Sequence, residues 1–136
     1  MDRDIQHWAD ILHEHEQEIL LAEMARVGDM TPTLEIYVRS HEGGNIPHFH
    51  IWDKATQGQK FHTCVEIKSP KYFHHTGKEG ILNMKQKRLL VEFLKAKPRK
   101  LRKYNTNWEV VIDMWNNGDS EMSVVEDLEM PNYMEL

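Results

Sequence analysis

Two histidines, His48 and His50, stand two residues apart in the run Asn45-Ile46-Pro47-His48-Phe49-His50-Ile51-Trp52, and His62 precedes the single cysteine, Cys64, by the same interval. Imidazole exchanges protons near neutral pH and, with thiolate, is a donor that zinc favours. A two-residue spacing suits a β-strand, where alternate side chains leave the same face about 7 Å apart. Two chemistries follow. In the first, His48 and His50 offer a ligand pair that His62 or Cys64 completes. Zinc fits such donors, and three ligands with an open position describe a catalytic site. In the second, no metal takes part. His48, His50 and His62 move protons in a ribonuclease-like hydrolysis, with Tyr37 and Glu66 as further acid–base groups and Arg39 meeting the phosphate charge. The bland alternative is a quiet sheet face on which the histidines hydrogen-bond or stack with Trp52 and Tyr37. Cys64 falls mid-strand, away from the helix starts and strained turns that activate thiols, so a nucleophilic role is poorly supported.

The elements that must position these residues are legible from the alternation around them. Leu34, Ile36 and Val38 alternate with Glu35, Tyr37 and Arg39, a half-buried strand. A turn at residues 41–45 with Gly43 and Gly44 leads into the histidine strand, and a polar loop from Asp53 to Lys60 leads to a third strand, Phe61 to Ile67. In an antiparallel meander the apolar positions face the core, so the others share the opposite face. That face collects Glu35, Tyr37, Arg39, His48, His50, Trp52, His62, Cys64 and Glu66.

Two helices follow. Asn83 is the expected cap of the first, which buries Leu89, Leu90, Phe93 and Leu94 and ends before Pro98; Asn107 is the expected cap of the second, with Trp108, Val111, Ile112 and Trp115 at helical spacing and Gly118 as its stop. Between the sheet and these helices, Ser69 to Gly77 reads as a short turn or ordered loop, with His74 and His75 as local structure. Ahead of the strands, Asp4 to Val27 carries Ile5, Trp8, Leu12, Ile19 and Met24 near helical spacing, and Gly28 suits a helix end.

A chain of 136 residues, 40% hydrophobic and 29% charged, is enough for one domain with a real core. The expected organisation is an N-terminal amphipathic helix over residues 1–30, a single α+β domain over 31–118, and an acidic tail over 119–136. Its centre is a small antiparallel sheet of three or more strands with helices packed on one face. One cysteine excludes an intrachain disulfide, no stretch has the length and apolarity of a membrane span, and the first residues lack the pattern of a signal peptide; a cytoplasmic location is the expectation. The net charge of −5 is unevenly spread. Residues 1–30 hold eight acids and two bases, Lys85 to Lys103 hold nine bases and one acid, and Glu109 to Leu136 hold eight acids and no base. The basic run offers an RNA contact, or is neutralised by its own acidic flanks; the overall sign argues against a general nucleic-acid binder. A protein partner or a homodimer is the other expected association; the sequence leaves open whether the N-terminal helix packs on the domain or on a second copy.

The motif Pro47-His48-Phe49-His50-Ile51, set between two other strands and followed by helices bearing Trp108 and Trp115, resembles a family of small prokaryotic domains of unknown function. Members of that family occur in bacteria and mobile elements, often beside a small partner gene in arrangements that look like toxin–antitoxin pairs. The resemblance spans roughly residues 34–118 by the order of elements; Ile46 stands where the family shows the first of two prolines. It implies the fold and the candidate face, and an accessory or toxin-like role of a bacterium or phage, acting on a nucleic acid or protein partner.

Overall fold

The computed structural model describes residues 24–39, 46–73, 80–118, 125–126 and 129–136. Residues 4–23 of the expected N-terminal helix, the turn at 41–45, His74 and His75, and residues 119–124 of the tail lie outside the described residues.

Four strands form one antiparallel sheet in the order β1-β2-β3-β4: β1 Met24–Asp29, β2 Leu34–Arg39, β3 His48–Asp53 and β4 His62–Glu66. Helices α1, Met84–Lys95, and α2, Asn107–Asn117, follow, and a short 3-10 turn, Tyr133–Glu135, closes the chain. The fold is α+β. Three strands stand where the alternation of their side chains places them. The fourth, β1, is a correction, because the helical spacing runs through Val27 whereas Met24–Asp29 pairs with β2. Few apolar residues mark this edge strand, and what makes it a strand is backbone pairing with a neighbour, which local pattern does not encode. The ladder slips between Arg26 and Gly28, leaving Val27 as the extra residue of a bulge. A Cβ on Gly28 would come within 3.1 Å of the Phe93 ring, so α1 packs closely against this bend.

One face of the sheet is the core. Leu34, Ile36, Val38, Phe49, Ile51, Val65 and Ile67 are all at most 6% exposed and cluster with Leu90 and Leu94 of α1 and with Trp108, Val110, Val111 and Trp115 of α2. Helix α1 starts at Asn83, whose side-chain oxygen accepts from the Gln86 amide at 2.8 Å while Gln86 Oε1 accepts from the Asn83 amide at 2.9 Å. Helix α2 is capped one residue earlier than expected: Thr106 Oγ1 accepts from the Glu109 amide at 3.2 Å. Asn107 is instead buried, its Nδ2 donating to the Phe93 carbonyl at 2.8 Å, and so ties α2 to the end of α1.

The end of the expected acidic tail is part of this core. Tyr133 is fully buried, its hydroxyl donating to the carbonyls of Glu66 at 2.7 Å and Ile67 at 3.3 Å, its ring edge-on to Phe49. Burial pushes the Tyr133 phenol far up, with the Glu66 carboxylate adding to the shift, so it serves as a neutral donor. Asn116 binds both the amide and the carbonyl of Val125, fixing Val125 beside α2. Among the described residues no helix is long and apolar enough to cross a membrane.

Candidate metal centre

Register decides which side chains of the polar face meet. Tyr37 lies opposite His50, and His50 opposite Cys64, so one row crosses three strands. The adjacent row holds Glu35, Trp52 and His62. Diagonal neighbours across strands remain within reach of long side chains. His62 uses that reach. Its Nε2 lies 2.9 Å from His50 Nδ1, 3.3 Å from the Tyr37 hydroxyl and 3.9 Å from Cys64 Sγ, while Cys64 Sγ lies 3.2 Å from His50 Nδ1.

These contacts oversubscribe the atoms that make them. A ring nitrogen carries either one hydrogen or one lone pair, yet three groups converge on His62 Nε2 and two on His50 Nδ1. A cation between the three donors would use every lone pair at once. The separations fit one: atoms 2.9, 3.2 and 3.9 Å apart lie on a circle of radius about 2.0 Å, close to the 2.0–2.1 Å of a zinc–imidazole bond and slightly short of the 2.3 Å of zinc–thiolate. His50, His62 and Cys64 would together hold such an ion. His50, His62 and Cys64 are the group among the described residues whose donor atoms converge in this way.

The walls are aromatic. The Tyr37 ring stacks on His50 at 4.7 Å with an interplanar angle of 12°, and Trp52 lies 4.4 Å from Tyr37 and 6.0 Å from His62. Trp52 is fixed by its Nε1–H, which donates to Glu35 at 2.7 Å; the other Glu35 oxygen accepts from Arg26 Nε at 2.8 Å. Behind Trp52, Gly58 has φ +89° and a Cβ there would come within 2.8 Å of the indole, so both the backbone and the space demand glycine. His50 and Cys64 are fully buried and Tyr37 is 3% exposed, whereas His62 is half-buried. Of the three donors, His62 is the one with exposed surface.

The remaining sequence candidates sit elsewhere. His48, a partner of His50 in the expected ligand pair, is outside the donor triangle. Its Nδ1–H donates to the Ile46 carbonyl at 2.7 Å, and its ring stacks on Phe73 at 4.3 Å and approaches Trp115 at 5.4 Å. The β2–β3 ladder ends at Tyr37 and His50, and it is beyond this point that Trp115 of α2 reaches His48. Glu66 lies opposite His48 and accepts from the Ser69 hydroxyl at 3.0 Å. Arg39 is exposed at the end of β2, opposite Met24. Two contributors carry no motif. Phe73, in the loop after β4, covers His48 and donates its amide to the Cys64 carbonyl at 2.8 Å. Asp53 organises the β3–β4 loop by accepting from the amides of Thr56 at 2.9 Å, Phe61 at 3.0 Å and Lys60 at 3.3 Å, and from the Thr56 hydroxyl. That hydroxyl is the chief reason the Asp53 carboxyl is held down at about 2, the backbone amides adding to it. An acid at the end of an apolar strand, followed by Thr three residues on, is the sequence signal for such a loop.

No family model, no curated protein and no solved structure matches this chain.

Proposed function

We propose that the protein binds a transition-metal ion, with zinc as the fitting example, through His50 Nδ1, His62 Nε2 and Cys64 Sγ. The observation that carries this reading is the convergence of three soft or borderline donors on a circle of bonding radius. Burial favours a metal over direct contact of these side chains with a macromolecule, since His48, His50, Tyr37 and Cys64 are at most 3% exposed. The Tyr37 hydroxyl, 3.3 Å from His62 Nε2, would stand beside an ion held by these three residues. Zinc held by three protein ligands lowers the pKa of a bound water and so supports hydrolysis. Substrate for such a reaction would have to enter past His62, the half-buried ligand. The chain's own contribution is therefore to bind the ion, to keep water off the sheet side with Tyr37 and Trp52, and to hold the ligand rings by stacking.

Cobalt substitution tests the assignment. Protein stripped with chelator and titrated with Co²⁺ should take one equivalent and show a thiolate-to-metal band together with the intense visible bands of a four-coordinate ion. Cys64 is the sole cysteine, so the thiolate band identifies its ligand. Cys64→Ser should remove that band, His62→Ala should weaken binding, and Glu66→Gln should leave both unchanged. Uptake below about a tenth of an equivalent, or a cobalt spectrum unaltered by Cys64→Ser, would sink the proposal.

A further inference from the structure

Among the described residues, the basic run between Lys85 and Lys103 makes no ion pair with an acidic side chain of the flanking segments. None of its nine lysines and arginines forms an ion pair with a carboxylate side chain among the described residues. Lys87 Nζ donates to the Leu136 oxygen, and Lys103 lies over the Tyr104 ring at 4.9 Å. Part of the run borders a groove of about 760 Å³ between Arg26–Pro32, which is β1 and the turn after it, and the α1–α2 connection. Lys97, Arg99 and Lys100 line it and are exposed, and Phe93, Leu101 and Met114 add half-buried apolar surface. Arg26, also on the groove, is already committed to Glu35 and Asp29.

Cations without an ion-pair partner among the described residues, beside apolar surface, are what a single strand of nucleic acid requires, the cations meeting phosphates and the apolar groups meeting base faces. We infer that this groove binds single-stranded nucleic acid through Lys97, Arg99 and Lys100. Charge density favours this occupant over an acidic peptide. Five of the seven residues from Lys97 to Lys103 are basic, and a phosphate backbone carries its charge on every unit, whereas a peptide would need an unbroken acidic run. The volume is in the range of small-ligand clefts and suits a short stretch of a single strand. None of the three ligands His50, His62 and Cys64 lines the groove, so the two readings stand or fall separately.

A short fluorescein-labelled oligouridylate, followed by anisotropy, is the probe. Binding should weaken with added salt, and the triple variant Lys97→Glu, Arg99→Glu, Lys100→Glu should lose at least about tenfold in affinity. The slope of log affinity against log salt should fall by about 2, at about 0.7 for each phosphate contact removed. These side chains are exposed, so the variant should keep the parent's thermal midpoint. Cys64→Ser should bind the oligonucleotide as the parent does. Absence of binding at low salt, binding unaffected by the triple variant, or equal affinity for labelled polyglutamate of matched length would overturn the inference, the last pointing to an acidic-peptide site instead.

Discussion

Replacing Tyr133 probes whether the C-terminal residues belong to the domain. The side chain is fully buried, its hydroxyl donates to two carbonyls at the end of β4, and its ring meets Phe49 and Trp108 edge-on at 5.8 and 6.1 Å. Tyr133→Phe keeps the ring and removes the donor, leaving the Glu66 carbonyl short of a partner. The expected loss is about 1–2 kcal/mol, between the net worth of an ordinary hydrogen bond and the penalty of a buried unsatisfied group. Tyr133→Ala also removes the ring and opens a cavity between Phe49 and Trp108, for which about 3–5 kcal/mol is expected. For a domain of this size about 3–5 °C accompanies each kcal/mol, so the midpoints should fall by roughly 3–10 °C and roughly 9–25 °C. Urea titration followed by tryptophan fluorescence, with thermal melts alongside, measures both. The denaturant slope should stay constant, since the same fold is lost in each case. A Tyr133→Ala protein within about 0.5 kcal/mol of the parent would refute the argument and return the C-terminus to the status of an appended tail.

Two further outcomes follow from buried polar groups. Asp53 is held at about 2, below the ordinary carboxyl range, so its contribution to stability is complete above about pH 4 and is lost as pH falls through about 2. Asp53→Asn should lower the midpoint at neutral pH and flatten its acid-side decline; an unchanged midpoint-against-pH curve between about pH 5 and 2 would contradict the loop role. Thr63 is fully buried on the core face and its Oγ1 has no hydrogen-bond partner among the described residues. Thr63→Val, nearly the same in shape, should therefore raise stability by about 1–2 kcal/mol in the same urea titration, and a loss would show that the hydroxyl is satisfied after all.

Side-chain alternation, a local property, was enough to place β2, β3 and β4 and to assign Tyr37, His50, His62 and Cys64 to one face, because a strand's period of two leaves no choice once Ile36, Phe49 and Val65 seek the core. Capping chemistry likewise announced α1, through Asn83 and Gln86. The pairing of ligands was not legible. The eye falls on His48 and His50 because they are close in sequence, yet the donors that converge are His50, His62 and Cys64, brought together by a register that sets His50 against Cys64 and lets His62 reach across diagonally. Register depends on both strands and on the Asp53-organised loop between them, so no single segment contains it. Strand β1 and the burial of Tyr133 were hidden for the same reason: each exists through a partner distant along the chain, β2 for the one and the end of β4 with Phe49 for the other. Residue types and their faces are properties of the chain read locally; which donors meet, and at what distance, is decided only when the strands are in register and the helices have closed over them.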